Sequence, residues 1–153
     1  MQIEILPADR TDLNQILQLQ KACFHTEADL HNEYHIPALL QDLQSLEQEF
    51  ETTIFLKAMA DGLLVGSVRC TLKNNTCYIG RLIVNERYQN RGIGQKLMNA
   101  MEKANEQCIR FELFTGFKSE KNLYLYQKLG YSEFKRQKIN ENLTLVFLEK
   151  EKV

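Results

Sequence analysis

Three strand-like runs stand one after another in the middle of this sequence, and their connections are too short for the chain to cross over. Thr53–Ala60 and Leu63–Lys73 flank Asp61-Gly62, a pair suited to a tight hairpin because Gly takes positive φ at no steric cost. Asn74-Asn75 then separates Leu63–Lys73 from Thr76–Val84. Parallel neighbours need a crossover of roughly a dozen residues or more, so these three runs must pair antiparallel, as a meander.

On either side the period changes. Met1–Leu6 alternates as a strand does, Pro7 breaks it, and Thr11 reads as the N-cap of a helix carrying Leu13, Ile16, Leu17, Gln20 and Phe24. His25–His35 is polar and irregular and reads as a loop. Pro37 suits the first turn of a second helix, with Leu39, Leu40, Leu43, Leu46 and Phe50 on one face. After the meander, Leu97, Met98, Met101, Ala104 and Cys108 follow helical spacing from Gly92. Arg110–Thr115 is a short strand, and Glu120–Leu129 is a helix that Gly130 would end as a left-handed cap. Tyr131–Lys138 and Leu143–Glu149 form a last hairpin. The order β-α-α-β-β-β-α-β-α-β-β predicts one α+β domain over residues 1–153, a mostly antiparallel mixed sheet with helices on both faces.

The bulk properties narrow the function classes. A chain of 153 residues can bury a core without disulfide or metal. Lys and Arg number 19 against 20 Asp and Glu, so no overall charge argues for nucleic acid or an anionic membrane as partner. No apolar run approaches the roughly 20 residues that span a bilayer. The N-terminus lacks the basic start and apolar run of a secretory signal. Four cysteines, Cys23, Cys70, Cys77 and Cys108, lack metal-ligand spacing; free thiols in the cytoplasm are the expectation, a disulfide framework the alternative. No metal site is expected: His25, His31 and His35 lie in the polar loop with nothing to fix their geometry.

The chemistry concentrates in one stretch, Leu82 to Met98, which runs strand, polar loop, two glycines, amphipathic helix. Gly92 and Gly94 fall at the opening turn of that helix. A helix start offers unpaired backbone N–H groups and the positive end of the dipole, and missing side chains let a phosphate come close. Arg91 and Arg87 add charge at the rim. The alternative is that the glycines only permit a tight turn and close packing. No GxxxxGK[ST] is present, and no GxGxxG with an acidic residue some 20 positions on, so neither a P-loop nor a dinucleotide fold fits.

Gln89-Asn90-Arg91-Gly92-Ile93-Gly94 resembles the Q/R-x-x-G-x-G/A signature of the GNAT family of N-acetyltransferases. Leu125-Tyr126-Gln127-Lys128-Leu129-Gly130-Tyr131 is similar to that family's LYEKLGF/Y, and the predicted element order is the family's over essentially the whole chain. Two departures stand out: Glu86 where Pro is frequent, and Ser119 where the family often has Asn, with Asn122 one turn on as the substitute amide. The resemblance implies acetyl transfer from acetyl-CoA, the cosubstrate, to a primary amine, here expected to be a small molecule. Gln89, Asn90, Arg91, Gly92, Ile93, Gly94 and Gln95 would hold the pyrophosphate, with Asn122 in support. Leu82, Ile83 and Val84 would pair with pantetheine and stabilise the oxyanion through a backbone N–H. Tyr126 would protonate the leaving thiolate. No general base is assigned; Glu112 is one candidate, an exposed strand carboxylate paired with a lysine its alternative, and a water chain could serve instead. The loop with Glu27, Asp29 and Glu33 would line an acceptor pocket favouring a cationic amine, with a solvated surface loop as the alternative. A protein or peptide acceptor, or an acyl-CoA-binding regulatory module without turnover, are the competing functions. A homodimer is also allowed, paired through Leu143–Glu149.

Overall fold

The computed structural model of the chain describes residues 1–152. The meander forms as its turns require: β2 (Ile54–Ala60), β3 (Leu63–Lys73) and β4 (Thr76–Val84) pair antiparallel in order. Both turns sit in the left-handed region, at φ of 50° and 86° for Asp61 and Gly62 and 50° and 63° for Asn74 and Asn75. β1 (Ile3–Pro7) lies antiparallel on the outer edge of β2. On the other side come β5 (Arg110–Gly116), β6 (Ser132–Lys138) and β7 (Thr144–Glu151), giving one seven-stranded sheet in the order β1-β2-β3-β4-β5-β7-β6.

Each face of the sheet buries its own apolar cluster. α4 (Ile93–Ala104), the crossover from β4 to β5, sends Leu97, Met98 and Met101 into a core with Ala58, Val65, Val68 and Ile79, and α5 (Glu120–Lys128) adds Tyr126. The second cluster joins Leu13, Ile16 and Leu17 of α1 (Leu13–His31), Leu46 of α3 (Leu43–Phe50), Phe55 and Ile83. Truncating a fully buried leucine such as Leu97 to Ala would cost about 2–5 kcal/mol. Between α1 and α3, Arg69 is buried; its Nη1 and Nη2 donate to Gln20, Gln41 and Glu49 at 2.8–3.0 Å, and its Nε lies 2.6 Å from Glu49 as an ion pair. Burial pulls its pKa down to about 10, and Glu49 opposes that shift.

Four expectations are corrected. The first helix does not end near Phe24 but runs on to His31, and Asn32 at φ 50° forms its left-handed cap. Its last buried positions are Ala28 and His31, with Glu27 half-buried, so the stripe facing inward looks polar in sequence. Its N-cap is not Thr11 but Asp12, reached through a single 3-10 turn, Arg10–Asp12, that Asp9 caps by taking the Thr11 N–H on its carboxylate and giving its own N–H to Asp12. The second helix is two pieces, α2 (Pro37–Leu40) and α3, because Asp42 caps a fresh start by accepting from the Ser45 N–H at 2.8 Å. Leu40 and Leu43 are consequently exposed, while Leu46 is buried. Finally, β7 lies between β5 and β6, so both of its backbone edges are taken and it cannot pair across a dimer.

What positions the site is the failure of β4 and β5 to stay together. They pair in parallel only over Thr76–Tyr78 with Arg110–Glu112, then separate. β4 also carries a bulge: Arg69 faces Gly80 but Ser67 faces Ile83, leaving one residue extra on β4, with Arg81 at φ 50° inside it. The edge of Ile79–Val84 toward β5 therefore has no strand partner, and the gap opens toward the C-terminal ends of both strands.

Candidate active site between the splayed strands

One bank of the gap is the loop from β4 into α4. Asn85 takes the Arg87 N–H at 2.9 Å and starts a 3-10 turn, Glu86–Tyr88. Gln89 Nε2 donates back to the Val84 carbonyl at 3.1 Å. Asn90 and Gly92 then sit in the left-handed region at φ 63° and 79°. Gly92 is the N-cap of α4, so the N–H groups of Ile93, Gly94 and Gln95 lack intrahelical acceptors. No acidic residue stands in this first turn, and the positive end of the helix is left for an outside anion.

The two glycines do different things. A Cβ built at Gly92 would meet nothing within 4 Å, so the space over the turn is open. A Cβ at Gly94 would meet Leu125 Cδ2 at 3.4 Å and Leu82 Cδ2 at 3.8 Å, so Gly94 serves the packing of α4 on α5. Ile83 and Ile93 are 2% and 1% exposed, their side chains packed into the two cores. Leu82 and Val84 pack half-buried against the core. Arg91 lies over the Tyr88 ring, 5.4 Å to the centroid, and its Nη1 is 3.4 Å from Met1 Sδ.

α5 and the end of β5 form the other bank. Tyr126 is buried, its ring centroid 6.2 Å from that of Tyr131. Burial first, then the nearby charge of Glu27, push its phenol above the ordinary tyrosine value, so it keeps its proton. Tyr124 is 70% exposed on another face of the helix, and Tyr131 packs inward with its hydroxyl donating to Glu102 at 2.8 Å.

α1 bridges the two banks with residues one turn apart. Cys23 Sγ donates to the Val84 carbonyl at 3.4 Å. Glu27, four residues on, accepts from the Ser119 hydroxyl and from Asn122 Nδ2 at 3.3 Å; that amide also donates to Thr115 Oγ1 at 3.3 Å. His31, four further, donates from Nδ1 to the Glu27 carbonyl at 2.9 Å and accepts the Lys118 N–H on Nε2 at 3.1 Å. Those partners require the neutral Nδ1–H tautomer. A Cβ on Gly116 would fall on the His31 ring, so glycine there is what lets the helix dock.

The polar-loop picture of the acceptor wall is thus corrected. His25 and His31 are helical; Asp29 accepts from Tyr34 at 2.6 Å, and Glu33 takes the His35 N–H at 2.8 Å and an Asn140 amide. Asp29 is thus in the last turn of α1 and Glu33 just past its cap, not in an irregular loop. Glu112 ion-pairs with Arg110 at 2.8 Å, on the stretch where β4 and β5 are still paired. Glu27 is the carboxylate the fold brings to the gap. Its sequence signal was present: it lies midway between Cys23 and His31 at helical spacing. All four cysteines are free, three of them buried, and burial raises the Cys23 thiol to about 11. No helix among the described residues is long and apolar enough to cross a membrane, and no group of three His, Cys, Asp or Glu gathers as a metal site there.

The model of the Acetyltransferase (GNAT) family matches residues 13–131. Among solved structures, PaiA N-acetyltransferase from Thermoplasma acidophilum in complex with coenzyme A superposes with a TM-score of 0.83 at 19% identity, covering 99% of this chain and 100% of that one. The ribosomal-protein-S18-alanine N-acetyltransferase from Escherichia coli gives 0.80 at 13% identity, over 98% and 94%. The yncA structure from Salmonella typhimurium with its cofactor acetyl-CoA gives 0.76 at 16% identity, over 99% and 94%. No curated protein sequence matches the chain.

Proposed function

This chain belongs to the GNAT acetyltransferase family, and from that premise we propose that it moves an acetyl group from acetyl-CoA to a primary amine of a small molecule, with residues 1–153 acting as one domain. The observation that carries this is the splayed β4–β5 pair next to an open helix start: Gly92 leaves space, and the first turn of α4 holds free N–H groups with no acid to neutralise them. A pyrophosphate fits there, and an extended pantetheine arm fits the unpaired edge of Ile79–Val84.

Acetyl-CoA supplies the activated acetyl group as a thioester. The chain's own residues then do three things. Backbone N–H groups at Leu82–Val84 face the carbonyl oxygen as negative charge develops on it. Tyr126, kept protonated, donates its phenolic proton to the departing sulfur. Glu27, reaching the gap from α1, takes the proton that the attacking amine loses. Ser119 and Asn122 hold Glu27 in place, so the Ser119 departure from the family pattern is part of this arrangement. Gln89, Asn90, Arg91, Ile93, Gly94 and Gln95 frame the phosphate site, Gln89 by holding the Val84 carbonyl. Four unpaired thiols suit a reducing compartment such as the cytoplasm.

The test is release of free CoA by purified protein, given acetyl-CoA and a panel of small primary amines and N-terminal peptides. Release stimulated at least ten-fold by a small amine supports the assignment. Stimulation by peptides alone would move the acceptor to a protein N-terminus. CoA binding without release by any acceptor would leave only a binding module.

A further inference from the structure

Arg81 is the one feature of β4 that the transfer chemistry leaves unexplained. It occupies the bulge at φ 50°, a conformation that costs a non-glycine residue roughly 1 kcal/mol or more. Its side chain turns toward α1, α2 and α3, with the guanidinium carbon 5.8 Å from the Phe24 ring centroid. It makes no ion pair and no hydrogen bond among the described residues, and its Nε is buried without a partner. Glu49, whose charge reaches it, is already bound to Arg69 at 2.6 Å. Half-burying a guanidinium without a hydrogen-bond acceptor is costly, and the Phe24 ring and the charge of Glu49 offset only part of that cost.

The guanidinium lines an open cleft of about 300 Å³, shared with Pro37, Leu40, Gln41, Asp42 and Ser45. Arg81 precedes Val84 by three residues, so the two lie within roughly 11 Å even on a fully extended chain. The cleft therefore shares strand β4 with the backbone N–H groups assigned to the oxyanion, and it lies on the α2–α3 side of the sheet. Asp42 already spends one oxygen on the Ser45 N–H. A carboxylate would give the planar fork of Arg81 two acceptors, whereas a polyamine would set like charge against it.

We propose that Arg81 binds a carboxylate on the acceptor, so that the acetylated amine belongs to a carboxylate-bearing molecule, an amino acid or a short peptide, and not to a polyamine. This rests on the acetyl-transfer reading above and narrows its substrate class. The planar fork of the guanidinium, aimed from a strained bulge, is the specificity element.

The test titrates the protein, saturated with CoA, with the twenty L-amino acids, their carboxamides, a set of dipeptides and 1,4-diaminobutane. The same compounds go into the CoA-release assay. At least one acid should bind ten- to a hundred-fold more tightly than its amide, the range of a charge-assisted hydrogen bond. Arg81→Met should erase that preference, Arg81→Lys should keep part of it, and both should bind CoA as wild type does. Preference for free amino acids or for dipeptides identifies the source of the carboxylate. Equal binding of acid and amide, a preference for the diamine, or a preference that survives Arg81→Met overturns the inference while leaving acetyl transfer intact. Binding of an acid through Arg81 with no CoA release from any compound refutes turnover, and with it the assignment of that carboxylate to an acceptor.

Discussion

Replacing Tyr126 with Phe separates chemistry from structure at the reacting centre. The phenol has no protein hydrogen-bond partner among the described residues, and the ring is 6% exposed against Tyr131. Phe removes one oxygen and almost no packing, so stability should change by less than about 1 kcal/mol, or roughly 2–4 °C in Tm. CoA affinity should hold, because the phosphate site is on the opposite bank. The turnover number should fall by about 10²–10⁴-fold, the usual range for a positioned acid, equal to about 3–5 kcal/mol of barrier. The loss belongs in kcat, since thiolate charge develops only in the transition state. CoA-release kinetics on a confirmed acceptor, with kcat and KM determined separately, measure it. Tyr124→Phe is the control and should be silent, its side chain being 70% exposed. Wild-type kcat in Tyr126→Phe would refute the acid role; a slow Tyr124→Phe beside a normal Tyr126→Phe would show that the wrong tyrosine was assigned.

Other consequences follow from the same contacts. Above pH 10 the unfolded chain ionises its Tyr126 phenol while burial keeps the folded one protonated, so wild type should lose stability relative to Tyr126→Phe as pH rises past 10, with no such difference at pH 8; urea midpoints at pH 8 and 11 check this. Gly116→Ala should drive the His31 ring from its seat and break its bonds to Glu27 and Lys118, costing about 2–4 kcal/mol and lowering Tm by about 5–10 °C; an unchanged Tm would remove the clasp from the account. All four cysteines should react with a thiol reagent in denaturant without reductant, whereas Cys23, raised to about 11, should react slowly in the native protein at pH 8, as alkylation time courses will show.

The meander was legible because two-residue turns leave an antiparallel pairing as the only choice, and the glycine turn into α4 because Gly92 takes a positive φ that strains other residues. The misread parts depend on distant pairing. Glu27 and His31 are buried or half-buried because they meet Ser119 and Lys118, 92 and 87 positions away, so no local pattern marks them as an inward face. The insertion of β7 between β5 and β6 is likewise nonlocal: a hairpin's sequence does not say which of its strands joins the sheet. Arg81 points into its cleft because β3 and β4 slip register by one residue, which neither strand shows alone. The break between α2 and α3 was readable from Asp42 three residues before Ser45, but leucine spacing on both sides masked it.

Binding of CoA to wild type, Gly92→Ala and Gly92→Glu tests the central assignment most directly. Gly92 sits at φ 79° and a Cβ there would meet nothing within 4 Å, so both variants share the same backbone strain, about 1 kcal/mol, and neither clashes. Only the charge differs. Two like charges about 4 Å apart near a surface repel by about 4 kcal/mol, close to a thousand-fold in affinity. Calorimetry should therefore show CoA binding to Gly92→Ala within about ten-fold of wild type and a loss of at least a hundred-fold in Gly92→Glu with the fold retained. Equal affinity in all three proteins would mean that the pyrophosphate does not lie at the start of α4, and the acetyl-CoA site described above would be wrong.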